Sequence, residues 1–327
     1  MAENINAVDK TEKTDEKTNE NSSKKAKIAF VFPGQGAQYE NMGKSFYDNY
    51  ATAREIYAAC LAEPTQFFGT IADFTATNIA QPAIFLTDII AATLLEENGI
   101  IADGAAGFSL GELPTVAFGG LLPTKQAFEL TQFRAEKMHA ATTQQKGGMW
   151  AVLGLSADVV GQICTTVKNA YPVNYNAPGQ VVVAFSQETD QEQLKQAIVA
   201  AKGKAVPLAV AGAFHSPLMD GVSAELATYL QQLDFSQPKI PVYANVTAKP
   251  YTAATAAELL TKQVNSPVLW QAAIEQMLAD GFTTFVETGP GKTLAGLIKK
   301  IAKNNENVRI FNVHDQKTLE EVLSNVK

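Results

Sequence analysis

Cysteine is scarce in this sequence, with only Cys60 and Cys164 among 327 residues. Two isolated cysteines form no metal-ligand pattern, and one possible pair is weak support for an oxidising compartment, so we expect the cytoplasm. Long apolar runs are missing as well. No segment reaches the roughly 18 uninterrupted apolar residues of a membrane span, so we expect no membrane insertion.

Positive charge is also in short supply, because 26 Lys and Arg residues face 33 Asp and Glu residues and the net charge is -7. A nucleic-acid-binding protein normally carries a basic surface, so this balance argues against a nucleic acid partner. Any anionic ligand must therefore meet local positive charge. The 46% hydrophobic content is ample for a large core, and the length indicates two domains or one domain with an insertion.

The first 26 residues differ in composition from the rest of the chain. Residues 1–26 contain no aromatic side chain and mix acidic, basic and amide residues. Such a composition cannot offset the entropy of ordering, so we predict a disordered extension, with a solubilising role favoured over a docking role. The apolar segment of a secretory signal is missing from it.

Beyond residue 26, predicted strands and helices alternate, which is typical of a parallel α/β sheet. Residues 28–32 form a β-rich run that stops at Pro33-Gly34-Gln35-Gly36, a tight glycine turn. Apolar periodicity predicts helices, and short apolar runs predict further strands. The helices are expected over 42–60, 82–98 and 124–141, and the strands at 242–246 and 284–286.

From residue 149 the pattern changes. The predicted order is strand, helix, strand, strand, helix and strand, which is the βαββαβ order of a ferredoxin-like unit. The elements are expected at 149–153, 157–170, 173–175, 181–185, 190–201 and 205–208. We therefore predict a large α/β core formed by residues 27–148 and 211–327, with an inserted small domain over 149–210.

A candidate nucleophile lies in the first half of the core. Gly107-Phe108-Ser109-Leu110-Gly111 fits G-x-S-x-G, in which a serine occupies a sharp turn between a strand and a helix. The helix N-terminus behind such a turn supplies backbone N–H groups to a developing oxyanion. A catalytic Ser109 is thus favoured over a structural turn. Pro114, near the first turn of that helix, predicts an irregular start.

A serine nucleophile needs a general base, and the sequence offers three histidines. His139 and His314 are expected to have surface roles. His215 falls where the chain returns from the inserted domain, and junction loops are where clefts form, so we predict it as the base. No carboxylate stands out as a third member, and a carbonyl or amide oxygen could orient the imidazole instead.

Several motifs occur together in one order between about residues 27 and 310. They are Phe32-Pro33-Gly34-Gln35-Gly36, Gln81-Pro82-Ala83, the serine motif with Glu112, Gln132-Phe133-Arg134, 174–180, Ala213-Phe214-His215-Ser216, 265–268 with Trp270, and 287–292. This set resembles the bacterial malonyl-CoA:acyl carrier protein transacylases of fatty acid synthesis. The resemblance implies an α/β-hydrolase-like parallel-sheet core with an inserted ferredoxin-like domain.

The resemblance also implies an activity. Malonyl-CoA would acylate a serine, and the phosphopantetheine thiol of acyl carrier protein would then take the malonyl group, a ping-pong mechanism. No metal or bound cofactor is implied, because coenzyme A enters as a thioester substrate. Residue roles carried over from the family are nucleophile Ser109, base His215, oxyanion-hole N–H groups of Gln35 and Leu110, the His-orienting carbonyl of Gln263, and Arg134 as partner of the malonyl carboxylate.

The acyl pocket implied by the resemblance includes Phe214 and Met138. The Phe214 ring would leave little space for an α-methyl group, although one methyl is worth only about 1 to 3 kcal/mol of discrimination. Phe108 and Leu113-Pro114 depart from the family pattern. The family usually has His before the serine, so this chain lacks that polar side chain.

The partner side of the reaction predicts a docking surface. Acyl carrier proteins are acidic in this family, and this chain is acidic too, so encounter needs a local basic face. We predict that a basic face is formed by Lys202, Lys204, Lys299 and Lys300. Two alternatives to the transacylase stay open. A serine esterase or thioesterase is disfavoured by Arg134 and the insertion, and a non-catalytic carrier-binding module is disfavoured by the intact Ser109, His215 and Arg134.

Overall fold

The computed structural model describes residues 26–69, 74–144, 146–210 and 212–326, together with Met1. The predicted disordered extension therefore lies outside the described residues, apart from its two ends. Within these ranges the strands, in chain order, are β1 (Lys27–Phe32), β2 (Gly104–Gly107), β3 (Gly147–Leu153), β4 (Ala170–Ala177), β5 (Gln180–Ser186), β6 (Lys204–Pro207), β7 (Val242–Tyr243), β8 (Phe282–Thr288) and β9 (Arg309–Val313).

The helices surround these strands. In the described ranges the α-helices are α1 (Lys44–Asn49), α2 (Ala51–Cys60), α3 (Thr77–Glu97), α4 (Glu112–Phe118), α5 (Thr124–Gln144), α6 (Ala157–Thr166), α7 (Gln191–Ala200), α8 (Asp220–Leu230), α9 (Ala253–Gln263), α10 (Trp270–Ala279), α11 (Thr293–Ile301) and α12 (Gln316–Asn325). Short 3-10 helices span Ser109–Gly111 and Pro217–Met219.

The larger sheet is parallel, with strand order β7-β2-β1-β8-β9. Its central strand β1 pairs with β2 through Phe30 and Ala105, and with β8 through Phe30 and Val286. Residues 29–32 are fully buried, as expected for a strand covered on both faces. The carboxyl ends of β1 and β2 lie side by side, so the loops that follow them meet at one edge of the sheet.

The core helix α3 is apolar on almost every face. It is long and apolar enough to span a membrane, but 83% of its most apolar 18-residue stretch is buried inside the protein. It packs against α5 and β8. The predicted start at Pro82 is wrong, because α3 begins at Thr77 and accommodates Pro82 in its second turn.

Two other predicted helices have different limits. The helix expected over 42–60 is split into α1 and α2, because Tyr50 has extended backbone angles (φ -124, ψ 129) and its N–H caps Phe46. The helix expected over 157–170 ends at Thr166, since Val167 is extended and Ala170 already belongs to β4.

The smaller sheet is antiparallel, with strand order β4-β5-β3-β6. Together with α6 and α7 these strands form the βαββαβ unit, and they enclose an apolar cluster of their own. The predicted fold class, a parallel α/β core with a ferredoxin-like unit, is confirmed. Strand β4 is tied to the segment before α10 by backbone hydrogen bonds, from the Tyr175 N–H to the Val268 carbonyl (2.9 Å) and from the Val268 N–H to the Val173 carbonyl (2.8 Å).

Candidate active site

Ser109 stands on a strained turn at the carboxyl end of β2. Its φ of 53° is left-handed, which is unusual for a residue with a side chain. The turn is tight: a Cβ on Gly107 would lie 2.1 Å from the Gly111 carbonyl, and a Cβ on Gly111 would lie 2.0 Å from the Phe32 carbonyl oxygen. The 3-10 helix that precedes α4 is the irregular start predicted from Pro114.

His215 faces the serine. Its Nε2 lies 2.7 Å from Ser109 Oγ, and its Nδ1 lies 2.7 Å from the main-chain oxygen of Gln263. A carbonyl oxygen only accepts, so Nδ1 carries the proton and the Nε2 of a neutral imidazole accepts from the serine hydroxyl. Burial, and then the charge of Arg134, lower the pKa of His215 to about 3. The imidazole is therefore neutral at pH 7 and available as a base.

Arg134 lies on α5 and is 2% exposed. Its Nη1 donates to Gln81 Oε1 (2.5 Å), and its Nη2 donates to Gln263 Oε1 (2.9 Å) and Ser109 Oγ (3.3 Å). Burial lowers the pKa of the guanidinium to about 10, so it remains charged at neutral pH. It forms no ion pair with any residue the structure describes, so its hydrogen-bond partners beside the serine are neutral, and the Glu112 carboxyl acts on it only through space.

Gln263, at the end of α9, contacts all three of these residues. Its main-chain oxygen orients His215, its side-chain Oε1 accepts from Arg134, and its Nε2 donates to the Ser109 carbonyl oxygen at 2.5 Å. One buried glutamine thus fixes the relative positions of the serine, the histidine and the arginine.

The glycine loop after β1 lies against the serine turn. A Cβ on Gly34 would lie 2.4 Å from the Phe108 carbonyl oxygen, so the two backbones are in direct contact. Gln35 follows in this loop, and its side-chain Oε1 accepts from Thr77 Oγ1 (2.7 Å), which in turn accepts from Gln81 Nε2 (2.7 Å). A chain of hydrogen bonds therefore runs from Arg134 to Gln35.

A cavity of about 120 Å³ joins these groups. Its walls are mostly apolar, with buried amides at one side. Lining residues are Gln35, Phe108, Ser109, Leu110, Arg134, Met138, Met149, Asn174, Asn176, Val182, Leu208, Val210, Phe214 and His215. The structure thus brings together the sequence-predicted Ser109, His215, Arg134, Gln35, Leu110, Phe214 and Met138, and Gln263 stands behind them.

A second cavity of about 410 Å³ adjoins the first and shares Gln35, Leu208, Val210 and Phe214 with it. His139, expected at the surface in an ordinary role, is half-buried and lines this second cavity together with Thr142. His314 Nδ1 instead donates to Asn312 Oδ1 (2.7 Å), and its ring packs edge-on against Tyr39.

The four lysines of the predicted basic face are all exposed. Lys300 Nζ donates to Gln180 Oε1 (2.8 Å), which links α11 to the first residue of β5. The Gly154 N–H donates to the neighbouring Gly179 carbonyl oxygen (2.8 Å), which joins the end of β3 to the turn before β5.

Sequence reasoning missed several residues of the site. Gln81 belongs to a quoted motif but received no role, and Asn245 was not singled out, although its amide contacts the backbone of the serine turn. Asn245 follows the buried strand β7 at the carboxyl edge of the parallel sheet, where polar residues commonly serve a site, and that position was the available signal. In the described ranges, no three His, Cys, Asp or Glu side chains are placed to hold one metal ion.

Comparisons with known proteins agree with this geometry. Residues 29–317 match the acyl transferase domain family. The chain is 34% identical over 315 residues to a malonyl CoA-acyl carrier protein transacylase of Bacillus subtilis, with 92% of this chain and 98% of that protein covered. The malonyl CoA-acyl carrier protein transacylase of Staphylococcus aureus is 32% identical, with 91% of this chain and 97% of that protein covered.

Solved structures give the same result. A malonyl CoA-acyl carrier protein transacylase from Clostridium perfringens superposes with a TM-score of 0.87 at 33% identity, covering 92% of this chain and 97% of that one. A malonyl-transacylase solved in complex with its type II polyketide synthase acyl carrier protein superposes with a TM-score of 0.86 at 30% identity, covering 92% of this chain and 100% of that chain.

Proposed function

The chain belongs to the acyl transferase domain family, and from this premise we propose that Ser109 carries the acyl group of a ping-pong transfer. The protein is an acyltransferase that acts on a coenzyme A thioester and transfers the malonyl group of malonyl-CoA to acyl carrier protein. The observation that carries the residue assignment is the placement of Ser109 Oγ within 2.7 Å of His215 Nε2 and 3.3 Å of Arg134 Nη2.

In the first half-reaction Ser109 Oγ attacks the malonyl thioester carbon while His215 Nε2 takes the hydroxyl proton. The C–S bond then breaks, the oxyester forms, and the imidazolium returns its proton to the coenzyme A sulfur. In the second half, His215 deprotonates the phosphopantetheine thiol of acyl carrier protein, which takes the malonyl group and restores the serine hydroxyl. Serine, imidazole, guanidinium and two backbone N–H groups supply every group that these two half-reactions need, so we propose no cofactor.

The tetrahedral intermediates need donors for their oxyanion, and we assign these to the N–H groups of Gln35 and Leu110. The peptide between Ser109 and Leu110 is planar, with its C=O and N–H pointing in opposite directions. Because Gln263 Nε2 holds that C=O, it also fixes the direction of the Leu110 N–H. The contact between Gly34 and Phe108 brings Gln35 to the same turn.

Arg134 is the proposed partner of the malonyl carboxylate. Its Nε is buried with no partner among the described residues, and the bond from Nη2 to Ser109 Oγ is long at 3.3 Å. The Nε–H, together with the Nη2 hydrogen released from Ser109, can then serve the two oxygens of one carboxylate. A buried cation among neutral amides favours an anionic acyl group. That preference supports malonyl transfer over a thioesterase with neutral acyl substrates.

Five further assignments complete the proposal. Residues 149–210 act as an inserted domain in a core of residues 27–148 and 211–327, and both parts contribute cavity walls. Phe214 and Met138 shape the acyl pocket, and the basic face of Lys202, Lys204, Lys299 and Lys300 meets the acidic carrier protein. We place the enzyme in the cytoplasm and in fatty acid synthesis.

Intact-mass analysis tests the proposal. Mixing the protein with malonyl-CoA should add one malonyl group to Ser109, and holo acyl carrier protein should then remove it and gain the same mass. The Ser109→Ala variant, which removes the hydroxyl on the turn, should show no addition. Acylation of that variant, or loss of the group to water at the rate of transfer, would contradict the assignment.

A further inference from the structure

The backbone of the serine turn is hydrogen-bonded by a residue that does not line the cavity. A left-handed φ at a non-glycine residue costs about 1 to 3 kcal/mol and persists only where its surroundings impose it. The φ of Ser109 is 53°, and the glycines two residues before and after it, Gly107 and Gly111, have little backbone preference of their own. Something other than intrinsic preference must keep the nucleophile in place.

Asn245 makes the contacts that do so. Its Oδ1 accepts from the Ser109 N–H (2.8 Å), and its Nδ2 donates to the Gly107 carbonyl oxygen (2.6 Å). One planar amide therefore joins the two sides of the turn, before and at the nucleophile. Asn245 is 3% exposed and is not among the residues that line the cavity, so it acts on the serine and not on the substrate.

Asn245 is itself fixed by a buried carboxyl group. Its backbone N–H donates to Glu112 Oε1 (2.7 Å), and the Tyr251 hydroxyl donates to the same oxygen (2.7 Å). The Leu269 N–H donates to the Asn245 carbonyl oxygen (2.9 Å). Glu112 begins α4, the helix directly after the serine turn, so the support closes a ring from the turn to Asn245 and back.

We propose that Asn245 is a positioning residue for the nucleophile, which sets the turn so that Ser109 Oγ meets His215 and the Leu110 N–H faces the oxyanion. The proposal rests on the assignment of Ser109 as the acylated residue. It predicts that the amide matters to the acylation rate and leaves malonyl-CoA binding alone, because most of the cavity wall and the Gln81 and Gln263 contacts of Arg134 lie outside the serine turn.

The first test is Asn245→Ala in a single-turnover experiment, with Ser109 acylation followed by intact mass. Misplacement of a reacting group by about 1 Å costs on the order of a hundredfold. We expect the acylation rate at saturating malonyl-CoA to fall by about that factor, with the half-saturating malonyl-CoA concentration unchanged. Rates are expressed per acylatable site, so that partial unfolding does not count as slow chemistry.

A matched control is Asn312→Ala. Asn312 Nδ2 also donates to a glycine carbonyl oxygen, that of Gly291, at 2.6 Å, but it lies on β9 away from the serine turn. The control loses an equivalent bond and should acylate at the wild-type rate. Equal rates for Asn245→Ala and wild type would overturn the proposal, while failure of the wild type to acylate at Ser109 would overturn the proposed function instead.

Asn245→Asp is the second variant and retains the shape of the side chain if the alanine variant does not fold. As a carboxylate it still accepts from the Ser109 N–H, but it turns an oxygen toward the Gly107 carbonyl and faces the carboxyl group of Glu112. As a carboxylic acid it regains a donor and resembles the amide. Burial and Glu112 raise the pKa of such a group.

The acylation rate of Asn245→Asp divided by that of wild type should therefore rise as the pH falls from about 8 to about 6. His215 does not titrate in this range, and the Tyr251 hydroxyl stays protonated because burial raises its pKa. Burial raises the pKa of Glu112 to about 7 in the wild type, and division by the wild-type rate corrects for that titration. In the variant the two carboxyl groups titrate as a coupled pair, and the rise of the ratio reports the proton that this pair gains. A flat ratio across this range would contradict the positioning role.

Discussion

Replacing Arg134 with alanine should weaken malonyl transfer far more than acetyl transfer. The guanidinium is 2% exposed and is held by Gln81, Gln263 and Ser109, all of them neutral. A malonyl carboxylate in the variant would lie buried without a charged partner. Removing one partner of a buried ion pair costs about 3 to 5 kcal/mol, which corresponds to roughly a 150- to 5,000-fold loss in kcat/KM.

The acetyl group of acetyl-CoA has no carboxylate, so none is left buried without a partner in this pocket. The kcat/KM for acetyl-CoA should fall only because the Gln81 and Gln263 side chains lose their partner. The ratio of kcat/KM for malonyl-CoA to that for acetyl-CoA should therefore fall by at least about a hundredfold. Arg134→Lys is the matched control, because it keeps the charge but not the two parallel donors, and it should fall between wild type and alanine.

The assay is kcat/KM for both thioesters, from the initial rate of Ser109 acylation, with the unfolding temperature measured alongside. The charge of Arg134 also lowers the pKa of His215, second only to burial. The acid limb of acetyl transfer should therefore move to higher pH in Arg134→Ala. Equal losses for malonyl-CoA and acetyl-CoA would refute the carboxylate-binding role.

Three other outcomes are expected. His215→Ala should slow Ser109 acylation by several orders of magnitude, and acylation of this variant at the wild-type rate would contradict its role as the base. Because burial lowers the pKa of the wild-type imidazole to about 3, protonation of His215 should not limit the wild-type rate between about pH 8 and pH 5. Phe214→Ser should improve methylmalonyl relative to malonyl transfer by roughly 5- to 150-fold, and an unchanged ratio would contradict the steric role. Replacing the four lysines of the basic face with Glu should slow transfer to acyl carrier protein without slowing Ser109 acylation, and added salt should mimic the defect. Unchanged kinetics with acyl carrier protein at low ionic strength would refute the docking role.

The serine turn was predictable because its requirements are local. Backbones approach within 2.1 Å of where a Cβ would stand on Gly107, so glycine is needed at fixed spacings from Ser109, and that spacing is visible in the sequence. The buried run of β1 and the βαββαβ order were likewise visible in local periodicity. The helix break at Tyr50 was not, because apolar spacing continues across it.

The surroundings of Arg134 and Asn245 depend on contacts between distant parts of the chain. Taken alone, an arginine on α5 predicts a solvated charge. It is buried because Gln81 and Gln263, 53 and 129 residues away, converge on it. Asn245 reaches Ser109 across 136 residues. Only the family resemblance assigned Arg134 a role, and it assigned none to Asn245.

The backbone bonds between Tyr175, Val268 and Val173 have a consequence for chimeric enzymes. Val268 lies five residues after Gln263, whose carbonyl orients His215. The strand to which Val268 is bonded is β4, whose Asn174 and Asn176 border the acyl cavity. If residues 149–210 were exchanged between relatives to change acyl specificity, β4 would be replaced while Val268, its hydrogen-bond partner, would stay. The recipient would acquire a new acyl pocket and an altered setting of its base together, so selectivity and turnover would change in the same step.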